Sequence, residues 1–533
     1  MCSLFSINIQ AQNFSNSNLP ILIIETSGQE IVDEPKINVD LKIIYNGPGQ
    51  RNNLSDQDYH YDGIAGVEYR GATSQFLFEK KGLALETRKD DFSNNNVSLL
   101  GLPEENDWVL HGPYSDKTLI RNALAYQLAE EIMDYAPRTR FVELIINGEY
   151  RGVYLFTEKI KRDKNRVDLA KLNDSEIEGL DLTGGYILKI DKTEGAGNDG
   201  FVSDYPAQEG RWQETFYQFH YPKPDEIEPE QAEYIRDYIA DIDEVFQQED
   251  YNDLLSGYSQ HIDIISAIDY LFVNELSKNP DAYRLSSYMY KDRDDIDPKL
   301  HFGPVWDYNL GFGNVNYCTN GDFTGFVVNR FNQVCPDDFW IINYWWEKMI
   351  ADSTFQNLAY ERWFDLRETV LSTDKVLARI DSLALTLDEA QVRNFSKFPT
   401  LSQWIWPNYT VENSYGGEIN RLKYWVTNRL EWIDNNIDQI YIPPFDYSIQ
   451  YDPRIIPNPI QDHSVLRHYS HMGAQGLFQI IDAQGQLYYK SELRNEISGF
   501  NEISLPDNMP TGLYFYSLTI NESHHSGSFF VNQ

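Results

Sequence analysis

The clearest structural signal in the sequence is RFVELIINGEYRGVYLFTEKI, residues 140–160. Apolar and polar residues alternate on both sides of Asn147-Gly148. This dipeptide is typical of the type I′ turn that joins two antiparallel strands. The sequence therefore predicts a β-hairpin in the middle of the first half of the chain.

Further strands are predicted on both sides of this hairpin. Residues 18–48 and 66–88 contain apolar runs bounded by turn residues, and GGYILKIDK, which begins at Gly184, has the same character. Apolar residues repeat every three to four positions in other segments, which predicts amphipathic helices. Ser115 or Asp116 is expected to cap the first of them. The helices are expected near 117–133, 229–248, 261–278, 374–390 and 416–438.

The order of these elements predicts an α+β fold, because strands come first and helices mostly later.

The composition of the chain limits the kinds of partner that are expected. The net charge is −38, and a field of that sign repels nucleic acid and anionic lipid. No apolar run approaches the roughly 18–20 residues of a membrane-spanning helix. Cys318 and Cys335 either form a disulfide in an oxidising compartment or remain two buried thiols.

The two ends of the chain suggest export. Residues 1–17 have the character of a signal-peptide remnant that lacks the usual basic start. Residues 441–458 are rich in proline and predict a linker, and residues 459–533 show short alternating runs that predict a small all-β sandwich. That segment resembles the C-terminal sorting domain of type IX secretion substrates through Asn458-Pro459, the turn at 482–485, Leu505-Pro506, the run 512–514 and the closing run 529–531.

Five segments of the middle region combine polar side chains with turn residues in a way that a hydrophobic core does not require. They are residues 69–82, 108–122, 157–162, 279–291 and 301–313. Together they resemble the CotH kinase family, the spore-coat-protein-H-like atypical protein kinases, from about residue 20 to residue 435. The most specific pieces are Arg70-Gly71 with Lys80-Lys81, the hairpin, GGYILKIDK, and Trp306-Asp307-Tyr308-Asn309 ending in Phe312-Gly313.

The resemblance implies a two-lobed, atypical kinase-like domain over residues 18–440, with a strand-rich lobe at about 18–195 and a helical lobe at about 220–440. It also implies a protein that binds ATP with Mg²⁺ or Mn²⁺ and phosphorylates Ser or Thr of a protein substrate. Asp281 and Asp307 are the expected catalytic and metal-binding acids, since Mg²⁺ prefers hard oxygen ligands. Asn309 departs from the second acid of the WDxD pattern and is expected to ligate the metal through its amide.

Basic residues near the predicted sheet are the candidates for holding the nucleotide. Lys81 is the first choice for a catalytic, phosphate-binding lysine and Lys80 the second, because adjacent residues of a strand face opposite ways. Glu158 follows the hairpin, where a kinase hinge would hold the sugar. The cofactor-binding candidates are Arg70, Lys80, Lys81, Glu158, Lys159 and Lys161.

Two other classes of function stay open on the sequence. One is a non-catalytic cell-surface or adhesion protein on a kinase-like scaffold, because a fold does not determine a function. The other is a carbohydrate-active surface protein with a sugar cleft, which would use the clustered tryptophans Trp340, Trp345, Trp346, Trp404 and Trp406. For the leading hypothesis, the expected location is the surface or exterior of a Gram-negative bacterium, reached through the type IX secretion machinery.

Overall fold

The computed structural model describes residues 14–71, 73–193, 199–318, 320–440, 454–456, 464–470, 475–494, 499–506, 509–520 and 523–531. The chain divides into two compact units, Met1–Ile442 and Pro443–Gln533. The predicted signal-peptide remnant at 1–17 and the predicted linker at 441–458 lie mostly outside the described residues. The helices that the structure describes are all too short or too polar to cross a membrane.

The first part of the Met1–Ile442 unit is built around a barrel. Its elements are β1 (Asn16–Ser17), β2 (Ile21–Glu25), β3 (Ile37–Ile44), β4 (Asn52–Asn53), β5 (Tyr61–Arg70), α1 (Thr73–Leu77), β6 (Gly82–Arg88), β7 (Asp107–His111), α2 (Arg121–Glu130), β8 (Thr139–Ile146) and β9 (Glu149–Glu158). Seven strands close it in the order β2–β3–β5–β6–β7–β9–β8, and β2 pairs with β8 in parallel. The sequence predicted strands here but not their closure.

The hairpin predicted from the Asn147-Gly148 turn is confirmed as β8 and β9. Both turn residues have positive φ, 50° and 73°, as a type I′ turn requires. Apolar side chains from all seven strands fill the barrel, where Trp108 and Phe156 stack with ring centroids 4.9 Å apart. This packed interior gives the strand ends fixed positions.

The second part of the unit combines an antiparallel sheet with helices. Its strands, β10 (Tyr186–Ile190), β11 (Gly200–Pro206), β12 (Glu214–Tyr221), β13 (Ser287–Lys291) and β14 (Leu300–Phe302), lie in the order β11–β12–β10–β13–β14. Its helices are α3 (Pro229–Gln247), α4 (Ile264–Ser277), α5 (Val327–Val334), α6 (Tyr344–Ala351), α7 (Ser353–Glu368), α8 (Thr373–Thr386), α9 (Ala390–Lys397) and α10 (Tyr415–Asp434). The predicted helices correspond to α3, α4, α8 and α10, and the mixed α+β class is confirmed.

The first predicted helix begins later than its apolar pattern indicated. It starts at Arg121, and neither Ser115 nor Asp116 is its N-cap. The reason is local, because Leu119 has a φ of 64° that no α-helix contains. The Asp116 carboxylate accepts a hydrogen bond from the Arg121 N–H at 2.9 Å, so it stabilises the turn that precedes the helix.

The Pro443–Gln533 unit consists of two antiparallel sheets. Its strands are β15 (Arg454–Ile456), β16 (Val465–Ser470), β17 (Gln475–Asp482), β18 (Leu487–Arg494), β19 (Gly499–Ser504), β20 (Gly512–Ile520) and β21 (Ser523–Val531). The sheet orders are β15–β16–β19 and β18–β17–β20–β21. Residues from both sheets, among them Leu466, Phe478 and Leu518, form one buried core. The assignment of this unit as a type IX sorting domain stays a prediction.

Candidate functional site

Segments from both parts of the Met1–Ile442 unit bring charged side chains together. Arg70 ends β5 of the barrel, and Asp191 directly follows β10. Asp281 lies shortly after α4 and Asp307 shortly after β14. Burial and the nearby Asp281 carboxylate raise the pKa of Asp307 to about 6, and the Arg70 guanidinium opposes this change. These four side chains define the candidate site.

The backbone of Asp307 is held in an uncommon conformation. Its φ is 63°, in the left-handed region that costs a non-glycine residue about 1–3 kcal/mol. The Asp307 N–H donates to the Tyr126 hydroxyl at 3.0 Å, and its carbonyl accepts from Asn279 Nδ2 at 3.3 Å. The next N–H, of Tyr308, donates to Asn122 Oδ1 at 2.7 Å. Helix α2 and the end of α4 thus fix the direction of the Asp307 carboxylate.

Asp281 has a cationic partner of its own. Its carboxylate is 20% exposed and accepts a hydrogen bond from Arg284 Nη2 at 3.1 Å. Burial raises the pKa of Asp281, while Arg284 and Lys192 oppose the change. Two carboxylates with raised pKa values therefore lie in one neighbourhood, an arrangement that a bound cation would stabilise.

The structure places Lys80 in a structural contact. Its side chain is 1% exposed, and Nζ donates to Asn394 Oδ1 of α9 at 2.7 Å. The Nζ atom also lies 5.1 Å from the centre of the Tyr154 ring. Burial holds the pKa of Lys80 well below its ordinary value, against the opposing charge of Asp116. Its ammonium group joins the barrel to α9.

Lys81 directly precedes β6 and contacts Tyr69, the neighbour of Arg70 on β5. Its Nζ atom stands 4.8 Å from the centre of the Tyr69 ring, and Tyr69 packs against the barrel core. Neighbouring residues of a strand point to opposite faces. Arg70 accordingly turns away and lies 5.2 Å from the ring of Trp306, the residue before Asp307. Of these two cations, Arg70 is the one at the candidate site.

Glu158 and Lys161 are both held in ion pairs. Glu158 is 1% exposed and accepts from Arg138 Nε at 2.9 Å. Lys161 Nζ donates to Glu105 at 2.7 Å and to Asp107 at 2.8 Å. Both charges are therefore balanced by neighbouring side chains, whereas the sequence predicted that these residues contact the nucleotide.

Lys159 lies among several other positive charges. Burial lowers its pKa, Asp107 opposes the change, and the positive charges of Lys36, Arg70 and Lys161 lower it further. Within the described part of the chain its ammonium makes no hydrogen bond or ion pair. A side chain in such a field is suited to bind an anion.

The sequence did not point to Asp191, a residue of the candidate site, or to its neighbour Lys192. Lys192 Nζ donates to Thr73 Oγ1 at 3.0 Å, and its charge lowers the pKa of both Asp281 and Asp307. The signal was present, because GGYILKIDK ends on this Asp-Lys pair directly after the buried strand β10.

A divalent cation in the candidate site would take only two or three ligands from the protein. Among the residues that the structure describes, no three His, Cys, Asp or Glu side chains converge on one point. Mg²⁺, however, is usually bound through one or two carboxylates, with water and substrate phosphates completing its shell. Burial, together with the Asp281 carboxylate, raises the pKa of Asp307, and a bound cation would stabilise its charged form. The half-buried Asn309 lies two residues further on.

A cavity of about 430 Å³ opens beside the candidate site. Asp191 and Arg284 line it, together with the aromatic residues Trp212, Phe216, Tyr283, Phe339 and Trp340. Trp345 and Trp346 are instead 0% and 2% exposed in the core, so the five tryptophans proposed for a sugar cleft do not share one surface.

Carboxylates that attract a cation and basic side chains that attract an anion thus face each other, as in a protein that handles phosphate groups with a metal. A family model described as CotH kinase protein matches residues 67–433. The chain belongs to the CotH kinase family. No curated protein matches it.

Proposed function

We propose that this protein is an exported atypical protein kinase that transfers the γ-phosphoryl group of ATP, complexed with Mg²⁺ or Mn²⁺, to Ser or Thr of a protein substrate. The barrel part and the helical part would act as the two lobes of a kinase-like fold. The observation that carries the proposal is the pairing of Asp281 and Asp307 beside Arg70, with the pKa of Asp307 raised to about 6.

The chain's own residues divide into two groups in this proposal. Asp281, Asp307 and the amide of Asn309 would hold the cation, which neutralises charge on the phosphates. Three basic side chains would contact the phosphate oxygens, namely Arg70, Lys159 and Lys192. Phosphoryl transfer depends mostly on the positioning of the phosphates and on stabilisation of their charge. The protein therefore needs no further reactive group in order to bind the nucleotide.

Calorimetric titration of the full chain with ATP, in the presence and absence of Mg²⁺, tests the proposal. We expect binding that requires the metal and is lost when EDTA is added. A chain that binds no nucleotide with either Mg²⁺ or Mn²⁺ would instead be the non-catalytic surface protein on a kinase-like scaffold.

Replacing Lys159 with Met is expected to weaken binding of ATP–Mg²⁺ about tenfold or more, because a hydrogen bond to a charged group contributes about 1.5–3 kcal/mol. Lys81→Met serves as the matched control, since its ammonium already lies over Tyr69. Calorimetry on both variants gives the comparison. A larger loss in Lys81→Met would return the phosphate-binding role to Lys81.

We also propose that the type IX secretion machinery exports the protein to the cell surface or the exterior, with the Pro443–Gln533 unit as the address. Deletion of residues 443–533 should then trap the protein in the periplasm. The Met1–Ile442 unit should keep its cooperative thermal transition, because it has its own buried core. Fractionation and immunoblotting measure the first effect, and calorimetry the second. Secretion of the shortened chain at the normal level would rule out the address role.

A further inference from the structure

Arg284 links Asp281 of the candidate site to a second carboxylate, that of Asp338. The Arg284 side chain is 3% exposed, and its Nη1 atom donates to Asp338 Oδ1 at 3.1 Å. Its Nη2 atom donates to Asp281 Oδ1 at the same distance. Its Nε atom donates to the carbonyl of Pro280 at 2.8 Å, and Nη1 also donates to the carbonyl of Trp340 at 2.9 Å. The guanidinium is thus oriented from several sides and shared between two acids.

The backbone of Asp338 is hydrogen-bonded to one end of a disulfide bond. Cys318 and Cys335 are bonded, with their Cα atoms 5.7 Å apart. Cys335 directly follows α5, and its carbonyl accepts a hydrogen bond from the Asp338 N–H at 3.2 Å. The same helix carries Phe331, whose ring centre lies 4.2 Å from the Arg284 guanidinium. Phe331 and Asp338, which both contact Arg284, are therefore linked through the disulfide to the segment that follows Asp307.

An arginine cannot lose its proton in a protein, so its charge must be balanced by its neighbours. In this structure Asp281 and Asp338 share that task. If Asp338 were neutral, Asp281 alone would have to balance the positive charge of Arg284. The guanidinium would then compete with any cation for the Asp281 carboxylate.

We propose that Asp338 is a positioning residue for the metal site, and that the Cys318–Cys335 disulfide holds it in place. Asp338 balances part of the Arg284 charge and so leaves more of the Asp281 charge available to a cation. This inference rests on the proposed function, because it concerns the same metal site. It assigns a role to two groups, the Asp338 carboxylate and the disulfide, that touch neither substrate nor metal.

Binding of Mn²⁺ alone to the full chain, measured by electron paramagnetic resonance, tests this role without any catalytic assay. We expect Asp338→Asn to weaken Mn²⁺ binding about tenfold, the effect typical of losing a group that orients a metal ligand. Asp338→Glu, which keeps the charge, should restore part of the affinity. Asp434→Asn is the matched control, because Asp434 and Asp338 are both 28% exposed and both bind an arginine.

Reduction of the disulfide should act in the same direction. Cys318→Ser combined with Cys335→Ser should weaken Mn²⁺ binding, and adding Asp338→Asn to that variant should bring little further loss. If Asp338→Asn does not fold, Mn²⁺ binding by the double-serine variant and by the reduced wild-type protein tests the proposal instead. Wild-type affinity for Mn²⁺ in Asp338→Asn would overturn the role of Asp338. Wild-type affinity in folded protein without the disulfide would overturn the role of the disulfide. Absence of Mn²⁺ binding in the wild-type protein, both without and with ATP, would instead refute the proposed function itself.

Discussion

Replacing Asp307 with Asn is expected to abolish metal-dependent phosphoryl transfer while making the folded protein more stable. The activity should fall by about 10²–10³-fold or more, as when one preorganised electrostatic group is removed from an active site. Stability should rise because the folded protein holds this carboxylate in a half-buried place beside Asp281, where its charge is unfavourable.

The sign of the stability change follows from proton binding. The pKa of Asp307 is about 6 in the folded protein, against an ordinary value of 3.8. Between these two values the folded state binds more protons than the unfolded state, so stability falls as the pH rises through about 6. Each pKa unit corresponds to about 1.36 kcal/mol. Asp307→Asn should therefore raise the free energy of unfolding at pH 7 by up to about 3 kcal/mol.

Denaturant unfolding of both proteins in EDTA, from pH 4 to pH 8, measures this effect. The difference between variant and wild type should be small near pH 4 and largest above pH 7. Asp381→Asn is the control, because Asp381 is 58% exposed in an ion pair with Lys423. A variant that is less stable than the wild type at pH 7 would mean that Asp307 has a structural role.

Replacing Arg429 with Met is expected to have the largest effect on stability, a loss of about 3–5 kcal/mol. Arg429 is completely buried and pairs with the equally buried Glu275 at 3.2 Å. It also donates to the carbonyls of Phe323 and Gly325 at 3.0 and 2.7 Å. Without the guanidinium, an unpaired carboxylate would remain in the core of the helical part.

Lys423→Met on the same helix, α10, is the matched control for Arg429→Met. Lys423 is paired with Asp381 at the surface, where an ion pair contributes about 0–1 kcal/mol. Denaturant midpoints of the Met1–Ile442 unit compare the two variants. Similar losses in both would show that Glu275 finds another partner or takes up a proton without penalty.

The local features of the fold could be predicted from the sequence because each depends on neighbouring residues. The hairpin at 139–158 follows from two turn residues that accept positive φ, and α4 and α10 follow from an apolar period. Helix α2 begins later than its apolar pattern predicts, and the cause is the positive φ angle of Leu119.

The α+β class and the family could be read from the sequence, which also pointed to Asp281 and Asp307 as candidate acids. The cations near these two acids became visible only in the folded chain. The parallel pairing of β2 with β8 closes the barrel across more than 100 residues, and no local pattern encodes such a contact. Alternation along β5 turns Tyr69 toward the barrel core and Arg70 toward Trp306, but only the packing of distant segments brings Trp306 and Asp307 next to that strand end.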